Sequence, residues 1–359
     1  MQADYLLLKK FISSVFESIG CPEEDAHLAS DVLVSADARG IDSHGVARLA
    51  GYVRLYDHGR LNPSPKVQIL HESPSTALLD GDRGLGLVVA PKAMEIACKK
   101  AALAGTGWVA VQNSNHFGIA GYHAMKALPE QMIGWAMTHA APLVTPTFSK
   151  EKLLGTNPIA VAIPALTEPP FVADFASTAV AYGKLEILQR KGLDTPDGWV
   201  QDHLGHPSND AFAIKNGGAL LPLGGDREHG SHKGYGLGAI VDILSGVLSG
   251  ANFGPWVPPF ATAGFMTAGE TVGKGTGHFL GAMRIDAFRP AEEFQKDMDK
   301  WIKRFRSAEA VEGKQVLIPG DPERELEKER KLNGIPLLEP VVADLRTLAT
   351  RFHLDFNIE

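Results

Sequence analysis

The stretch that most limits how this chain can fold is the apolar run Gly107-Trp108-Val109-Ala110-Val111, together with the polar segment it leads into. β-Branched and aromatic residues bounded by glycine predict a buried strand. The run ends in Gln112-Asn113-Ser114-Asn115, then His116, and Gly118 and Gly121 free the backbone before the next helix. A polar cluster at the end of an apolar strand is where open α/β folds place chemistry. On this stretch alone a second reading stands beside it, His116 as a core or turn histidine satisfied by Asn113 or Ser114.

The chain before that strand reads as helical. Leu7, Leu8, Phe11, Ile12, Val15, Phe16 and Ile19 recur at helical spacing up to Gly20. Pro22 with Glu23, Glu24 and Asp25 opens a second helix with acidic residues at the positive end of its dipole, and Gly40 ends it after Arg39. Ser43 is expected to cap a third helix running to Gly59. In that helix His44 and Arg48, four apart, share a face, with the Ser43 hydroxyl at the same end. The trio offers a titratable imidazole, a hydroxyl and a guanidinium fork suited to a carboxylate. Taken in isolation, a capping serine and a solvated arginine is the plainer reading.

Composition excludes several classes. Lys+Arg 35 against Asp+Glu 42 gives a net charge of −7, which leaves no basic face for nucleic acid or an anionic membrane. Cys21 and Cys98 have neither a disulfide framework nor zinc spacing, so no metal is expected. No apolar run reaches membrane-spanning length, no signal-peptide pattern opens the chain, and a cytoplasmic location is expected. At 359 residues more than one lobe is expected.

After a Pro-rich linker, the pattern predicts strands at 66–70 and 76–80, a helix from about Pro91 to Gly105, the strand before His116, a helix over 122–128 and strands at 133–138 and 159–164. The strand 171–178 runs into Ser177 and Thr178, which could hold phosphate or ribose or simply cap the strand end. Residues 190–230 read as loop. His232-Lys233-Gly234 opens an apolar helix over 239–248, and a lysine with glycine backbone at a helix start suits an anion. A strand over 278–285, a helix over 294–305, a short strand at Val316-Leu317-Ile318, a charged helix over 323–331 and a closing helix over 341–352 complete the chain. Gly105-Thr106-Gly107-Trp108-Val109-Ala110 matches a dinucleotide fingerprint by letters, but it comes after a helix and opens a strand, so it is rejected. No other stretch gives strand–GxGxxG–helix, and a Rossmann domain is not expected.

Six stretches, in order along nearly the whole chain, resemble the malate/L-lactate dehydrogenases that lack a Rossmann fold, a group similar to ureidoglycolate and sulfolactate dehydrogenases and diketogulonate reductase. They are Ser43-His44-Gly45-Val46-Ala47-Arg48, Asn113-Ser114-Asn115-His116-Phe117-Gly118, Gly155-Thr156-Asn157-Pro158, Asp174-Phe175-Ala176-Ser177-Thr178, His232-Lys233-Gly234-Tyr235-Gly236-Leu237 and Ile318-Pro319-Gly320-Asp321. The resemblance implies an α/β (α+β-like) fold with a mostly antiparallel central sheet and a helical lobe made from both chain ends, residues 1–75 joined by 290–359, around a central region 76–289. It also implies a homodimer and NAD, with NADP as the alternative. Cofactor contacts would come from Asp174, Phe175, Ala176, Ser177 and Thr178, from His232 and Lys233, and from Gly320, Asp321 and Pro322. Where relatives often carry Asn-Ser, this chain has His139-Ala140, which leaves only backbone contacts there.

Oxidising a 2-hydroxy acid needs a base, a hydride acceptor and a cation for the carboxylate. His116 or His44 is expected to move the proton, with His116 ahead, while Arg48 clamps the carboxylate and Ser43 adds a hydroxyl. Malate or L-lactate is the expected small-molecule carboxylate, by family likeness. The alternatives are reduction of another keto or imino acid (sulfopyruvate, diketogulonate, a cyclic imine), ureidoglycolate oxidation, or a non-catalytic anion-binding protein in which Ser43, His44, Arg48 and His116 lie far apart. The Trp256–Phe260 loop is expected to shape the pocket.

Overall fold

The computed structural model describes residues 1–260 and 271–359. A short strand, β1 (Gln2–Ala3), precedes α1 (Tyr5–Ser18), whose Asp4 cap accepts the N–H groups of Leu6 and Leu7. Next come α2 (Glu23–Ala38) and α3 (Leu49–Asp57). The helix expected from Ser43 is corrected: two 3-10 turns, Asp42–His44 and Val46–Arg48, hinge at Gly45 before α3 begins.

The chain then forms β2 (Gln68–Glu72), β3 (Thr76–Asp80) and α4 (Gly86–Ala104). The last starts five residues before Pro91, because Leu87, Val88 and Val89 are buried and packing extends the helix upstream. After β4 (Thr106–Ser114) come α5 (Ala120–Met125), β5 (Met132–Thr138), β6 (Ile159–Ile163), β7 (Phe171–Phe175) and α6 (Tyr182–Lys191). Residues expected as loop instead carry β8 (Val200–Gln201), β9 (Pro207–Ser208) and β10 (Ala219–Leu220), a small antiparallel sheet. The chain continues through α7 (Ser231–Asp242), a π-turn over Ile243–Val247, β11 (Thr276–Arg284), α8 (Ala291–Arg306), α9 (Asp321–Asn333), β12 (Ile335–Pro336) and α10 (Glu339–Phe352). Val316 to Ile318 belong to no strand.

Seven of these strands form the central sheet, in the order β2-β3-β4-β11-β5-β6-β7. Within it β3 and β4 run parallel, and the other neighbours are antiparallel. One face, with Leu79, Val109, Val111, Ala136 and Leu280, packs on α4 and α5. On the other, Trp135, Phe279 and Met137 meet Val241 and Leu237 of α7. This layering places the C-terminal end of β4, and the loop after it, at the edge of the first face.

That loop meets a second core. Phe11, Ile12 and Phe16 of α1, Leu33 of α2 and Tyr52 and Leu55 of α3 bury with Val342, Leu345 and Leu348 of α10. β1 pairs antiparallel with β12, and the Asp4 N–H donates to the Ile358 carbonyl at 2.7 Å, so the two ends of the described chain lie side by side. α8 is held elsewhere: Asp299 accepts the N–H groups of Leu166, Thr167 and Glu168, and Trp301 packs on Phe171. These contacts correct the expectation that residues from 290 onward group with the terminal helices, since α8 lies against the β6–β7 connection.

Candidate active site

Three amide and hydroxyl side chains fasten the loop after β4 without touching the His116 ring. Asn113, in the left-handed region at φ 58, donates to Asp80 at 2.7 Å, and Asn115 donates to the carbonyls of Arg83 and Gly84 at 2.8 and 3.1 Å. The Ser114 hydroxyl bonds His278 Nε2 at 2.9 Å. The reading of His116 as satisfied by Asn113 or Ser114 is therefore set aside. Its Nδ1 instead lies 2.7 Å from the Tyr52 hydroxyl and accepts the Gly118 N–H at 3.3 Å.

The structure brings the two histidines together. The His44 and His116 rings stack at 5.6 Å between centroids with 22° between planes. His44 Nδ1 is 2.9 Å from Ser43 Oγ, and Arg48 Nε donates to the Ser43 carbonyl at 2.6 Å. That bond uses Nε, and a guanidinium carries two further nitrogens suited to a carboxylate. Phe260 of the 256–260 loop packs on His116 at 4.8 Å and on Tyr52 at 5.0 Å, and Arg60 donates to the Pro259 carbonyl.

Electrostatics keep both imidazoles neutral at pH 7. Burial first, and the Arg48 charge second, push His44 down to about 4. His116 is held well below its ordinary value, again first by burial and then by His44 and Arg48. Burial raises Tyr52, so its hydroxyl keeps its proton.

Tyr52 is the residue that the sequence reading missed. It is fully buried, and its place four residues after Arg48 on α3 was the available signal.

A cleft of ≈ 380 Å³ has a wall that includes Asp174, Phe175, Gly320 and Pro322, together with Arg39 and Gly121, and neither histidine lines it. Asp174 Oδ2 accepts the Gly121 N–H at 2.7 Å, which ties β7 to the chain just after His116. Burial raises this carboxyl to about 6. The wall does not take in the other expected cofactor residues. Asp321 is engaged by Arg324 at 2.7 Å and by the Ile318 N–H at 3.0 Å. Ser177 and Thr178 are buried, with their hydroxyls donating to Thr156 and Val180 carbonyls. Ala176 is half-buried between them and the cleft. His232 and Lys233 sit in the first turn of α7, where Arg227 lies 2.7 Å from His232.

His139 faces inward: its Nε2 accepts the Gly277 N–H at 2.8 Å, and Ala140 N–H donates to Asn157. Among the described residues no group of three or more His, Cys, Asp or Glu is placed to hold a metal ion, and no helix is long and apolar enough to cross a membrane.

The chain as a whole is similar to known proteins. The family model for malate/L-lactate dehydrogenase matches residues 4–346. A malate dehydrogenase of Pyrococcus horikoshii is 43% identical over 346 residues, 96% of this chain and 93% of that protein. An L-sulfolactate dehydrogenase of Methanocaldococcus jannaschii is 39% identical, over 98% of this chain and 96% of its own. The solved structure of a sulfolactate dehydrogenase from that organism superposes with a TM-score of 0.90 at 37% identity, covering 99% of this chain and 98% of its own. This chain therefore belongs to the malate/L-lactate dehydrogenase family.

Proposed function

We propose that the protein interconverts a small 2-hydroxy acid and its 2-keto acid, malate or L-lactate first among them, with NAD as the hydride partner. One observation carries the reading: two neutral histidines stacked at 5.6 Å, with the Arg48 charge close to both. Arg48 takes the substrate carboxylate, which orients the carbinol carbon. His116 moves the proton of the substrate oxygen through Nε2, since Nδ1 is engaged by Tyr52. With Nε2 bare, the ring takes the substrate hydroxyl proton and becomes imidazolium; in the reverse direction that imidazolium returns the proton to the carbonyl oxygen, and Tyr52 stays bonded to Nδ1 throughout. His44, steadied by Ser43, holds the substrate oxygen from the other side.

The cleft at Asp174 suits the ribose end of a dinucleotide. It joins apolar walls (Val172, Leu317, Pro319) to a carboxylate whose second oxygen can accept a ribose hydroxyl. Asp174, Phe175, Gly320 and Pro322 would hold NAD there, with Ala176, Ser177, Thr178, His232, Lys233 and Asp321 contributing backbone or charge along its length. When bound, NAD accepts the hydride from the substrate carbon. Asp174 and the neighbouring Glu323 argue for NAD over NADP, because a 2′-phosphate would meet like charge. No strand–GxGxxG–helix is present in the chain, so binding proceeds without a Rossmann crevice.

The reading extends to assembly and architecture. Ile240, Ile243, Val247 and Leu248 on α7 and its π-turn are each about half exposed, an apolar face that a second copy would cover in a homodimer. The terminal helices α1, α2, α3 and α10 form one lobe, and residues 76–289 with α8 the other. Two unpaired cysteines fit the cytoplasm.

NADH and NADPH oxidation against oxaloacetate, pyruvate, sulfopyruvate and 2,3-diketogulonate tests the proposal. A rate with NADH and oxaloacetate or pyruvate supports it. NADH binding without any rate moves the substrate to ureidoglycolate or a cyclic imine, and no binding of either cofactor overturns it.

A further inference from the structure

The last turn of α2 carries a carboxylate for which the chemistry above has no use. Asp37 is 2% exposed, and its Oδ2 accepts the N–H of Val46 at 2.7 Å. The group lies against Gly45, where any Cβ would overlap it, so only glycine admits it there. Gly45 is the hinge between the turn that ends in His44 and the turn that ends in Arg48.

What this bond replaces gives it meaning. If Ser43 capped a continuous helix, its hydroxyl would accept the N–H of the third helical residue, and that residue is Val46. Asp37 takes the N–H instead. Ser43 Oγ is thereby free to meet His44 Nδ1 at 2.9 Å, and the chain bends at Gly45 so that Arg48 reaches back to the Ser43 carbonyl. Arg330 at the end of α9 secures the same corner, donating to the Asp37 carbonyl and to Asp42. A carboxyl so deeply buried beside one N–H donor costs stability, and burial raises it well above the usual carboxylate range.

We infer that Asp37 is a positioning residue: by holding the Val46 N–H it keeps Ser43 off its capping role and sets His44 and Arg48 in their working arrangement. This rests on the functional reading of Ser43, His44 and Arg48 given above.

The test compares the full-length protein with Asp37→Ala, Asp37→Asn, Ser43→Ala and the double variant Asp37→Ala/Ser43→Ala. Thermal unfolding, NADH binding by fluorescence, histidine side-chain NMR and steady-state kinetics are read for each. Asp37→Ala is expected to lower kcat/KM about 100-fold, the scale of a small misplacement in a site. Its NADH affinity should stay unchanged, and the His44 imidazole signals should shift. Asp37→Asn, which keeps an acceptor for Val46, should restore kcat/KM to within about three-fold and leave the His44 signals in place. The double variant should be no slower than Asp37→Ala, because both changes act through the one hydroxyl.

A folded Asp37→Ala protein with kcat/KM within about two-fold of the parent overturns the inference. So does an Asp37→Asn protein that loses its rate or moves the His44 signals, and this variant decides alone if Asp37→Ala does not fold. If the parent turns over no 2-hydroxy acid, the functional reading fails on its own. The NMR comparison of His44 then still decides the role of Asp37.

Discussion

The phenolic oxygen of the fully buried Tyr52 stands 2.7 Å from Nδ1 of His116, a contact across 64 residues of chain. It ties the helix after Arg48 to the loop after β4. Replacing the phenol with Phe keeps the packing against Phe16 and Phe260 and removes only the hydroxyl. Tyr52→Phe is expected to lower kcat by about 10- to 100-fold with KM little changed, since proton transfer contributes on that scale. Steady-state rates check this, and an unchanged kcat would remove Tyr52 from the proton path.

The two histidines separate by substitution. His116→Ala is expected to cost about 100- to 10,000-fold in kcat, and His44→Ala less. Near-parental rates in both variants would end the proposed mechanism.

Arg48 binds through its geometry as well as its charge. Arg48→Lys loses the fork and the Nε bond to the Ser43 carbonyl, so KM for the hydroxy acid should rise about ten-fold or more while NADH affinity holds. An equal rise in the NADH dissociation constant would place Arg48 on the cofactor instead.

Acid should affect the protein through His44. Its folded pKa of about 4 lies below the ordinary 6.5, so as pH falls the unfolded chain takes up the proton first. Stability on this account is full above 6.5 and declines between 6.5 and about 4. Asp174 works in the opposite direction over part of that range, so the comparison is made against His44→Gln, where the other groups cancel. The parent's Tm is expected to drop more than the variant's between about pH 7 and about pH 5. In kinetics, the acid limb of kcat/KM for oxidation should fall below 6.5, and a limb above it contradicts neutral buried imidazoles.

Asp174 sets stability against binding. Its carboxyl is raised from 3.8 to about 6, so its favourable contribution is present below 3.8 and lost as pH rises through about 6. Asp174→Asn keeps an acceptor for Gly121 and sheds the buried charge. Its Tm should exceed the parent's near about pH 8 and match it near about pH 4, while NADH binds about ten-fold more weakly. Calorimetry and fluorescence titration read the two effects separately.

The sequence displayed the parts of this site better than their joints. His116 stood out because an apolar strand ran into it, and Ser43, His44 and Arg48 because of their spacing. The sheet was legible in runs such as Ile159–Ile163 with glycine and proline at their borders. What escaped depends on distant chain. The bend at Gly45 arises because an acceptor nine residues upstream captures the Val46 N–H, and a local helix pattern holds no sign of that competition. Tyr52 finds its partner in His116, 64 residues further along the chain, and no pattern within its own helix reveals that contact. The start of α4 was misplaced because tertiary burial of Leu87 to Val89 outweighed the proline that usually marks a first turn. Strands of two residues, as in β8 to β10, are too short to show any period.

The pairing of β1 with β12 constrains the order in which this enzyme can come into being. α10 contacts both α3 and the turn Val46–Arg48, so a turn that leaves the ribosome early is braced by a segment made much later. Until then Phe11, Phe16, Tyr52 and Leu55 lack the apolar partners that Val342, Leu345 and Leu348 supply. The nascent chain therefore carries His44 and Arg48 through the synthesis of all the residues up to α10 before that brace can dock.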